Sequence, residues 1–333
     1  MQLGTGLFTG QRRPDDDRSM TEIYDELVEL GRAADDAGLD SAWVSEHHFA
    51  DDGYLSATLP TLGALATATD AIEIGSCVLL APLYDSIRVA EDAATVSLLA
   101  DGRLTTGLSI GYREREFDGF GVPKAERVDR TVEAVEVLRG AWSDGPLGFD
   151  PAFHPADATY DVTPKPDEAP PIVLGGGAKP AVRRAARLGD GWVAPSSLSL
   201  SGLKKRADDI RAVREDEGLD GDFTIYVLQH GFVGDSNDEA WAAMKDGYLY
   251  IQRKYAEWFG GEPIDELPAD RVEELKEQAI FGTPEDVLEG LEPYRDAVGD
   301  DVHVILRTYH PGIGQDRMIE CVERLGDEVV PAL

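Results

Sequence analysis

Short apolar segments alternate along the chain with longer segments in which apolar residues recur every three or four positions. The first pattern is typical of buried strands, and the second of helices with one buried face. In the first helical segment, Ile23, Leu27 and Leu30 share one face, and Gly38 is placed to end the helix. Strands are predicted at residues 3–8, 41–45, 72–80, 104–110, 171–174, 191–194, 223–233 and 302–307, and helices at 21–37, 59–69, 86–99, 125–142, 180–188, 203–217, 284–298 and 316–329.

Eight strands alternating with eight helices predict an α/β fold of the closed parallel (β/α)8 type, the TIM barrel. An open, doubly wound sheet is the competing architecture. Two stretches exceed a minimal barrel, about 146–170 and about 234–282, and we interpret them as insertions after strands four and seven of a single domain spanning 1–333. The second stretch follows a strand end, where barrel active sites form, so its aromatic residues either cap a ligand, pack between subunits or fill the core. These residues are Trp241, Tyr248, Tyr250, Tyr255, Trp258 and Phe259.

Acidic residues are spread over the whole chain, with 64 Asp and Glu against 31 Lys and Arg and a net charge of −33. Such a charge repels nucleic-acid phosphates and anionic membranes, so neither is expected as a partner. A carboxylate-rich surface suits concentrated salt, which screens self-repulsion, so we expect a halophilic host; an ordinary acidic enzyme is the alternative. No apolar run reaches the ~18 residues of a membrane span. With no secretory signal pattern and only two cysteines, a cytoplasmic protein is expected.

Candidate chemistry begins at the end of the second predicted strand, where Glu46, His47 and His48 follow one another. A carboxylate and two imidazoles at a barrel strand end lie at the reacting face, and histidine transfers protons near neutral pH. His230 and His310 also lie close to strand ends, so at least one of these histidines is expected to be functional. A metal site would need a third ligand, and neither HExxH nor paired CxxC is present to supply it, so no metal is expected.

A run of three glycines, Gly175, Gly176 and Gly177, follows the fifth strand and leads through Ala178 and Lys179 into a helix. Glycines allow close backbone approach, and a helix amino terminus favours an anion, so this turn is a candidate phosphate site to which Lys179 adds charge. A tight turn without a ligand is the alternative.

The fourth strand runs into small residues between Gly107 and Gly111. They would leave room for a flat ring across the barrel mouth, with Ser109 free to hydrogen-bond to its edge. Tight packing explains the same residues equally well.

These motifs resemble those of the bacterial luciferase-like flavin-dependent oxidoreductases over nearly the whole chain. The resemblance rests on several short runs, which together are specific to the family. They are WVSEHHF (43–49), IGSCVLLAPL (74–83), RVAED (88–92), DGRL (101–104), GLSIGY (107–112), FDGFG (117–121), GGG (175–177) and GDGW (189–192).

The resemblance implies a single barrel that binds FMN, or the deazaflavin coenzyme F420, at its carboxyl-terminal mouth, with the cofactor phosphate on the turn at 175–179. It implies a cis peptide bond between Cys77 and Val78 that supports the ring from behind. It further implies that His47 assists the flavin chemistry and that Ser109 lies beside the ring.

The implied cofactor site also includes Glu46 and Tyr112. Luciferase itself has an arginine where this chain has Ile110. The phosphate or substrate contact made there is either absent or supplied elsewhere, with Arg127 and Lys179 as the candidates to replace it. Luciferase's aldehyde substrate and light emission are therefore not expected.

The favoured hypothesis is a two-component monooxygenase, in which reduced FMN from a separate reductase reacts with O2 and a small organic substrate while His47 shuttles protons. The main alternative is hydride transfer with coenzyme F420. A flavin-binding protein without catalysis and a flavin-free barrel isomerase acting on sugar phosphates are further alternatives. Because the family commonly forms dimers, a homodimer is expected.

Overall fold

The computed structural model of the protein, which describes residues 1–261 and 264–333, is a closed parallel β-barrel surrounded by helices. The strands are β1 (Gln2–Phe8), β2 (Ser41–Val44), β3 (Glu73–Ser76), β4 (Leu79–Leu80), β5 (Leu104–Ser109), β6 (Ile172–Gly175), β7 (Gly191–Ala194), β8 (Thr224–Val233), β9 (Ile280–Gly282) and β10 (His303–Arg307). They pair in the order β1-β2-β3-β5-β6-β7-β8-β10, and β10 pairs with β1 to close the barrel. β4 follows β3 and, like β3, pairs with β5. β9 pairs with the end of β8. The TIM-barrel prediction is thus confirmed.

Helices follow the barrel strands and cover the outside of the barrel. They are α1 (Met20–Asp36), α2 (Thr58–Ala68), α3 (Ser86–Leu99), α4 (Glu114–Phe120), α5 (Arg127–Trp142), α6 (Lys179–Leu188), α7 (Leu200–Glu217), α8 (Asn237–Trp258), α9 (Ala269–Gln278), α10 (Pro284–Val298) and α11 (Gln315–Arg324). α1 shows why these segments are helical: Ser19 and Glu22 form a reciprocal capping box, and its apolar stripe is buried. Along the described parts of the chain, no helix has the length and apolarity needed to cross a membrane.

The barrel interior below the carboxyl ends of the strands is filled by large side chains. The indole of Trp43 is fully buried there and donates to Ser41 Oγ at 2.6 Å, which also contacts His303 Nε2 at 2.6 Å. Gly75 must lack a side chain, because a Cβ at that position would lie 2.2 Å from the Trp43 ring. This packing fills the barrel interior below the carboxyl ends of the strands.

The structure divides two of the predicted elements, and α4, α8, α9 and β9 are additional to the predicted ones. The strand predicted at 72–80 is interrupted at Cys77–Val78, whose peptide bond is cis, as the resemblance implied. The helix predicted at 316–329 ends at Arg324 and continues as a π-helical turn over Leu325–Val329. His230, expected close to a strand end, lies within β8, whose last residue is Val233. An apolar run marks neither an interruption within a strand nor a change of helix type, so periodicity could not locate these changes.

The two predicted insertions differ in structure. Residues 143–171 contain neither helix nor strand, and they are tied to the outer helices because Glu133 accepts the N–H groups of Ala152 and Phe153. The stretch 234–282 contains α8, α9 and β9, with residues 262 and 263 outside the described residues. The assignment of the chain to a single domain stays a prediction.

Three buried histidines make the stability of the protein sensitive to acid. Burial lowers the pKa of His303 and of His310 to about 3, and it holds the pKa of His230 well below its usual range. The unfolded chain takes up these protons near pH 6.5, whereas the folded chain resists them to lower pH. Their contribution to stability is therefore present above about pH 6.5 and is lost as the pH falls from there toward the folded pKa values.

We expect the free energy of unfolding to fall below pH 6.5 by about 4 kcal/mol per pH unit from the three histidines together, at about 1.4 kcal/mol each. Urea unfolding at several pH values between 8 and 5 measures this slope. His310→Phe, which keeps a ring stacked on His230, should remove about a third of it. An unchanged slope in this variant would assign the acid sensitivity to other groups.

Candidate active site at the carboxyl ends of the strands

A cavity of about 460 Å³ opens at the carboxyl ends of the barrel strands. Its volume lies in the range of small-molecule sites, roughly 300–1,000 Å³. Most of the sequence-predicted site residues line it, although Ala178 and Lys179 do not. The lining members are Glu46, His47, Cys77, Val78, Ser109, Tyr112, Gly175, Gly176 and Gly177.

His47 is held by a buried carboxylate. Its Nδ1 lies 2.8 Å from Glu116 Oε1, and the same oxygen accepts the His48 N–H at 3.0 Å and Arg113 Nη1 at 3.2 Å. Burial lowers the pKa of His47 despite the opposing hydrogen bond with Glu116. Burial alone would raise the pKa of Glu116, but the hydrogen bonds and positive charges around it leave that pKa lowered. Because its pKa is lowered by burial, the imidazole is neutral at neutral pH. The hydrogen bond with Glu116 assigns its proton to Nδ1, so Nε2 offers a lone pair.

Aromatic rings surround the His47 imidazole. Four ring centroids lie 4.8–5.8 Å from its own, those of Tyr54, Tyr112, Tyr255 and Trp258. The Tyr112 hydroxyl is also 3.5 Å from His47 Nε2. Such rings exclude bulk water from the imidazole, which favours directed proton transfer.

The insertion after β8 supplies part of this enclosure. Tyr255 and Trp258 belong to α8, and Phe259, just beyond it, stacks on Tyr112 at 4.3 Å between centroids. Trp241 and Tyr248, in contrast, pack against the core. The aromatic residues of this stretch therefore divide between the cavity and ordinary packing.

Glu46 and His48 form a second pair. His48 Nε2 lies 2.9 Å from Glu46 Oε1, and Glu46 also accepts the Leu80 N–H and the Thr58 hydroxyl, each at 3.3 Å. Glu46 lines the cavity with its oxygens already engaged, and His48 does not line it. Of the two adjacent histidines, His47 is the one that faces the candidate site.

One wall of the cavity is formed where the third barrel position ends. Cys77 and Val78 lie there, and burial raises the pKa of the Cys77 thiol to about 12, so the thiol is protonated. A Cβ built on Gly175 would lie 3.3 Å from Val78 Cγ1. The glycine therefore allows Val78 to lie close to the backbone of β6. Ser109, at the end of β5, supplies a hydroxyl at its edge.

The glycine turn ends at the amino terminus of α6. No side chain caps α6, Pro180 has no N–H, and the Ala181 N–H donates to the Ala178 carbonyl at 2.9 Å. The N–H groups of Gly177, Ala178 and Lys179 donate to no main-chain acceptor of the described residues. Ser196 and Ser197, which follow β7, line the cavity near this strand end and were not identified from the sequence. The Lys179 ammonium lies 3.7 Å from Asp209, outside the cavity lining.

Arg127 also lies outside the cavity lining and donates to the Lys124 carbonyl. Neither cation that could replace luciferase's arginine lines the cavity. An anion at the turn would therefore be bound by backbone N–H groups and hydroxyls.

The sequence interpretation missed two charged residues of the site. Glu116 lies on α4, a helix that was not predicted. Arg307 ends β10, is fully buried and lines the cavity. A charged residue at the end of an apolar strand was the available signal for Arg307, whereas no local pattern pointed to Glu116.

A βα barrel with a proton acceptor, a glycine turn and a ligand-sized cavity on one face has the organisation of a barrel enzyme. Residues 1–301 match the family model described as luciferase-like monooxygenase. The chain belongs to this family and is an oxidoreductase of the luciferase-like type.

Curated relatives include both an F420-dependent and a flavin-dependent enzyme. The chain is 26% identical over 328 residues to the F420-dependent glucose-6-phosphate dehydrogenase of Amycolatopsis mediterranei, with 92% of this chain and 94% of that protein covered. It is 23% identical over 344 residues to the oxygenase component of the flavin-dependent trigonelline monooxygenase of Acinetobacter baylyi, with 98% and 94% covered. Among solved structures, monooxygenase RslO1 from Streptomyces bottropensis matches with a TM-score of 0.87 at 21% identity, covering 100% of this chain and 99% of that one. This last likeness concerns the fold.

Proposed function

We propose that the protein is the oxygenase component of a two-component monooxygenase that uses reduced FMN and O2 on a small organic substrate. The observation that carries the proposal is the convergence of His47, the Cys77–Val78 wall and the glycine turn on one cavity. The resemblance to an oxygenase component supports a separate reductase as the source of reduced flavin.

The residues of the cavity fit a flavin. The wall at Cys77 and Val78 is apolar, and Ser109 offers a hydroxyl to the edge of a ring. At the turn, a Cβ on Gly177 would approach Pro195 Cγ to 3.2 Å, so the glycines form a cradle that side chains would fill. Backbone N–H groups at the start of α6, with the hydroxyls of Ser196 and Ser197, would hold the phosphate.

Reduced FMN would supply the electrons that activate O2. The chain's own contribution is to position the ring, to exclude water and to move a proton. His47 Nε2 accepts or returns that proton, while Glu116 holds Nδ1 and fixes the orientation of the imidazole. Tyr112 and Tyr255 keep the space beside the imidazole dry.

Hydride transfer with coenzyme F420 is the second candidate, because a relative of similar coverage is F420-dependent. Anaerobic titration with oxidised and reduced FMN and with oxidised and reduced F420 measures the affinities. Adding O2 to the reduced complexes then measures O2 consumption, and the two measurements together separate the candidates. We expect reduced FMN to bind more tightly than either form of F420 and to support substrate-dependent O2 consumption. Tighter F420 binding without O2 consumption would favour hydride transfer.

The glycine turn gives a specific expectation for FMN. Gly176 has φ 134°, a conformation that side chains rarely adopt, and its Cβ would lie 3.0 Å from Ala181 Cβ. Gly176→Ala should weaken FMN binding roughly tenfold or more by disturbing the charge-assisted phosphate contacts, and should change riboflavin binding much less.

Fluorescence titration with FMN and riboflavin measures both affinities. Gly221→Ala is the matched control, because nothing lies within 4 Å of a Cβ at that position. If Gly176→Ala weakened the binding of FMN and of riboflavin equally, the phosphate would not bind at the turn.

A homodimer and a halophilic host stay predictions.

A further inference from the structure

The cavity contains a buried cation without a carboxylate partner. Arg307 is 1% exposed and lines the cavity, and no Asp or Glu oxygen of residues 1–261 or 264–333 lies within ion-pair distance of its guanidinium. A buried charge is normally paired, since removing it from water is expensive. An anionic ligand bound beside the guanidinium would therefore supply the partner charge that the described residues do not provide.

The hydrogen bonds of Arg307 orient it and leave one edge open. Its Nε donates to the Tyr309 carbonyl at 3.2 Å, and its Nη2 donates to Thr9 Oγ1 at 3.3 Å and Gln11 Oε1 at 3.4 Å. All three acceptors are neutral. Nη1 donates to no atom of the described chain, so its N–H groups are the ones free for a ligand in the cavity.

The nearest carboxylate in this network is one side chain away. Gln11 Nε2 donates to Asp52 Oδ2 at 2.7 Å, and that oxygen also accepts the Tyr250 hydroxyl at 3.0 Å. Asp52 thus orients the Gln11 amide that accepts from Arg307. The Gln11 side chain lies between the Asp52 carboxylate and the Arg307 guanidinium, so the two charges do not pair directly. Glu46, the carboxylate that lines the cavity, is engaged by His48, Thr58 and the Leu80 N–H.

The charge of Arg307 lowers the pKa values of two groups that line the cavity. After burial, it is the main influence that lowers the pKa of His230, and it also lowers the pKa of the Cys77 thiol against the effect of burial. His230 is consequently neutral, and its Nε2 lies 3.5 Å from Gln252 Nε2 in the cavity lining. This end of the cavity therefore combines one permanent positive charge with neutral polar groups, in a chain whose net charge is −33.

We propose that Arg307 binds the acidic group of the substrate, a carboxylate, sulfonate or phosphate, so that the enzyme acts on organic anions. The proposal rests on the proposed function in taking this cavity as the active site. The glycine turn ends β6, which is separated from β10 by β7 and β8, so the acidic group and the cofactor phosphate would occupy different ends of the cavity. A planar guanidinium suits the two oxygens of such a group.

Simple aromatic probes test the charge preference. The affinities of benzoate, benzenesulfonate and phenyl phosphate are compared with that of neutral benzamide by calorimetry. We expect at least one anion to bind the wild-type protein roughly tenfold or more tightly than benzamide, as a charged hydrogen bond would give. Arg307→Met should abolish that preference. Arg271→Met, which removes a charge from the exposed face of α9, should retain it.

Three results would overturn the proposal: no anion binds, benzamide binds as tightly as the anions, or Arg307→Met keeps the preference. If Arg307→Met does not fold, Arg307→Lys replaces it and should show a reduced preference, because an ammonium lacks the planar fork.

The same titrations in FMN-saturated protein distinguish substrate from cofactor. The anion should bind beside FMN, and Arg307→Met should leave FMN affinity within about twofold, a change that corresponds to less than ~0.5 kcal/mol. Competition with FMN, together with lost FMN affinity in the variant, would assign Arg307 to the cofactor and overturn the substrate assignment. If FMN does not bind and the anion preference holds, the proposed function fails while the anion site stands.

Discussion

Replacing His47 with asparagine should lower turnover roughly 10²- to 10⁴-fold, the usual contribution of a positioned acid–base group. Asparagine can still donate toward Glu116 from the position of Nδ1, but it has no atom at the position of Nε2. The substitution therefore removes the proton acceptor on the cavity side and preserves the buried contact. FMN affinity should change little, because in the proposed site other residues would hold the phosphate and the ring.

Single-turnover and steady-state rates at several pH values measure this effect. In the wild type, turnover should fall on the acid side as His47 becomes protonated, at a pH below the ordinary histidine value because burial lowers its pKa. His154→Asn is the control, since His154 lies outside the cavity lining. Turnover of His47→Asn within a few-fold of the wild type would reject the proton-transfer role.

Glu116→Gln should affect both stability and the pH profile. The carboxylate lies within hydrogen-bond distance of His47, the His48 N–H and Arg113, and its side chain is fully buried. Removing its charge leaves the Arg113 guanidinium buried without an ion pair, which we expect to lower the free energy of unfolding by about 3 kcal/mol.

The second effect of Glu116→Gln concerns proton transfer. Glu116 raises the pKa of His47 against the effect of burial, so its removal should lower that pKa further. The acid limb of the turnover profile should then move to lower pH, a shift that a purely structural role would not produce. Glu114→Gln removes an exposed carboxylate from the same helix, and its profile should match the wild type. An acid limb that stays in place in Glu116→Gln would limit Glu116 to a structural role.

Local patterns predicted the barrel because periodicity reports which face of an element is buried, and that property depends on neighbours in the sequence. Strand ends in a parallel barrel share one face, so the positions of His47 and Gly175 after predicted strands were enough to place them at the same mouth. Periodicity could not decide between His47 and His48. That choice depends on the carboxylates that hold the two rings, since Glu116 contacts His47 Nδ1 and Glu46 contacts His48 Nε2.

The remaining site residues come from elements without a motif. Glu116 enters on the short helix α4, and Tyr255 and Trp258 enter on α8, so their contacts with His47 depend on how these helices pack. Arg307 was visible in principle, because an arginine ends an otherwise apolar strand. Its importance depends on the absence of a carboxylate nearby in the described structure, which is a property of the folded chain.

We expect the cavity at the carboxyl ends of the strands to bind the flavin. A crystal structure of the protein with FMN tests this expectation most directly. We expect electron density for the ring between the Cys77–Val78 wall and His47, and for the phosphate at the start of α6. Bound FMN elsewhere on the molecule, with this cavity filled by its own side chains, would contradict the account.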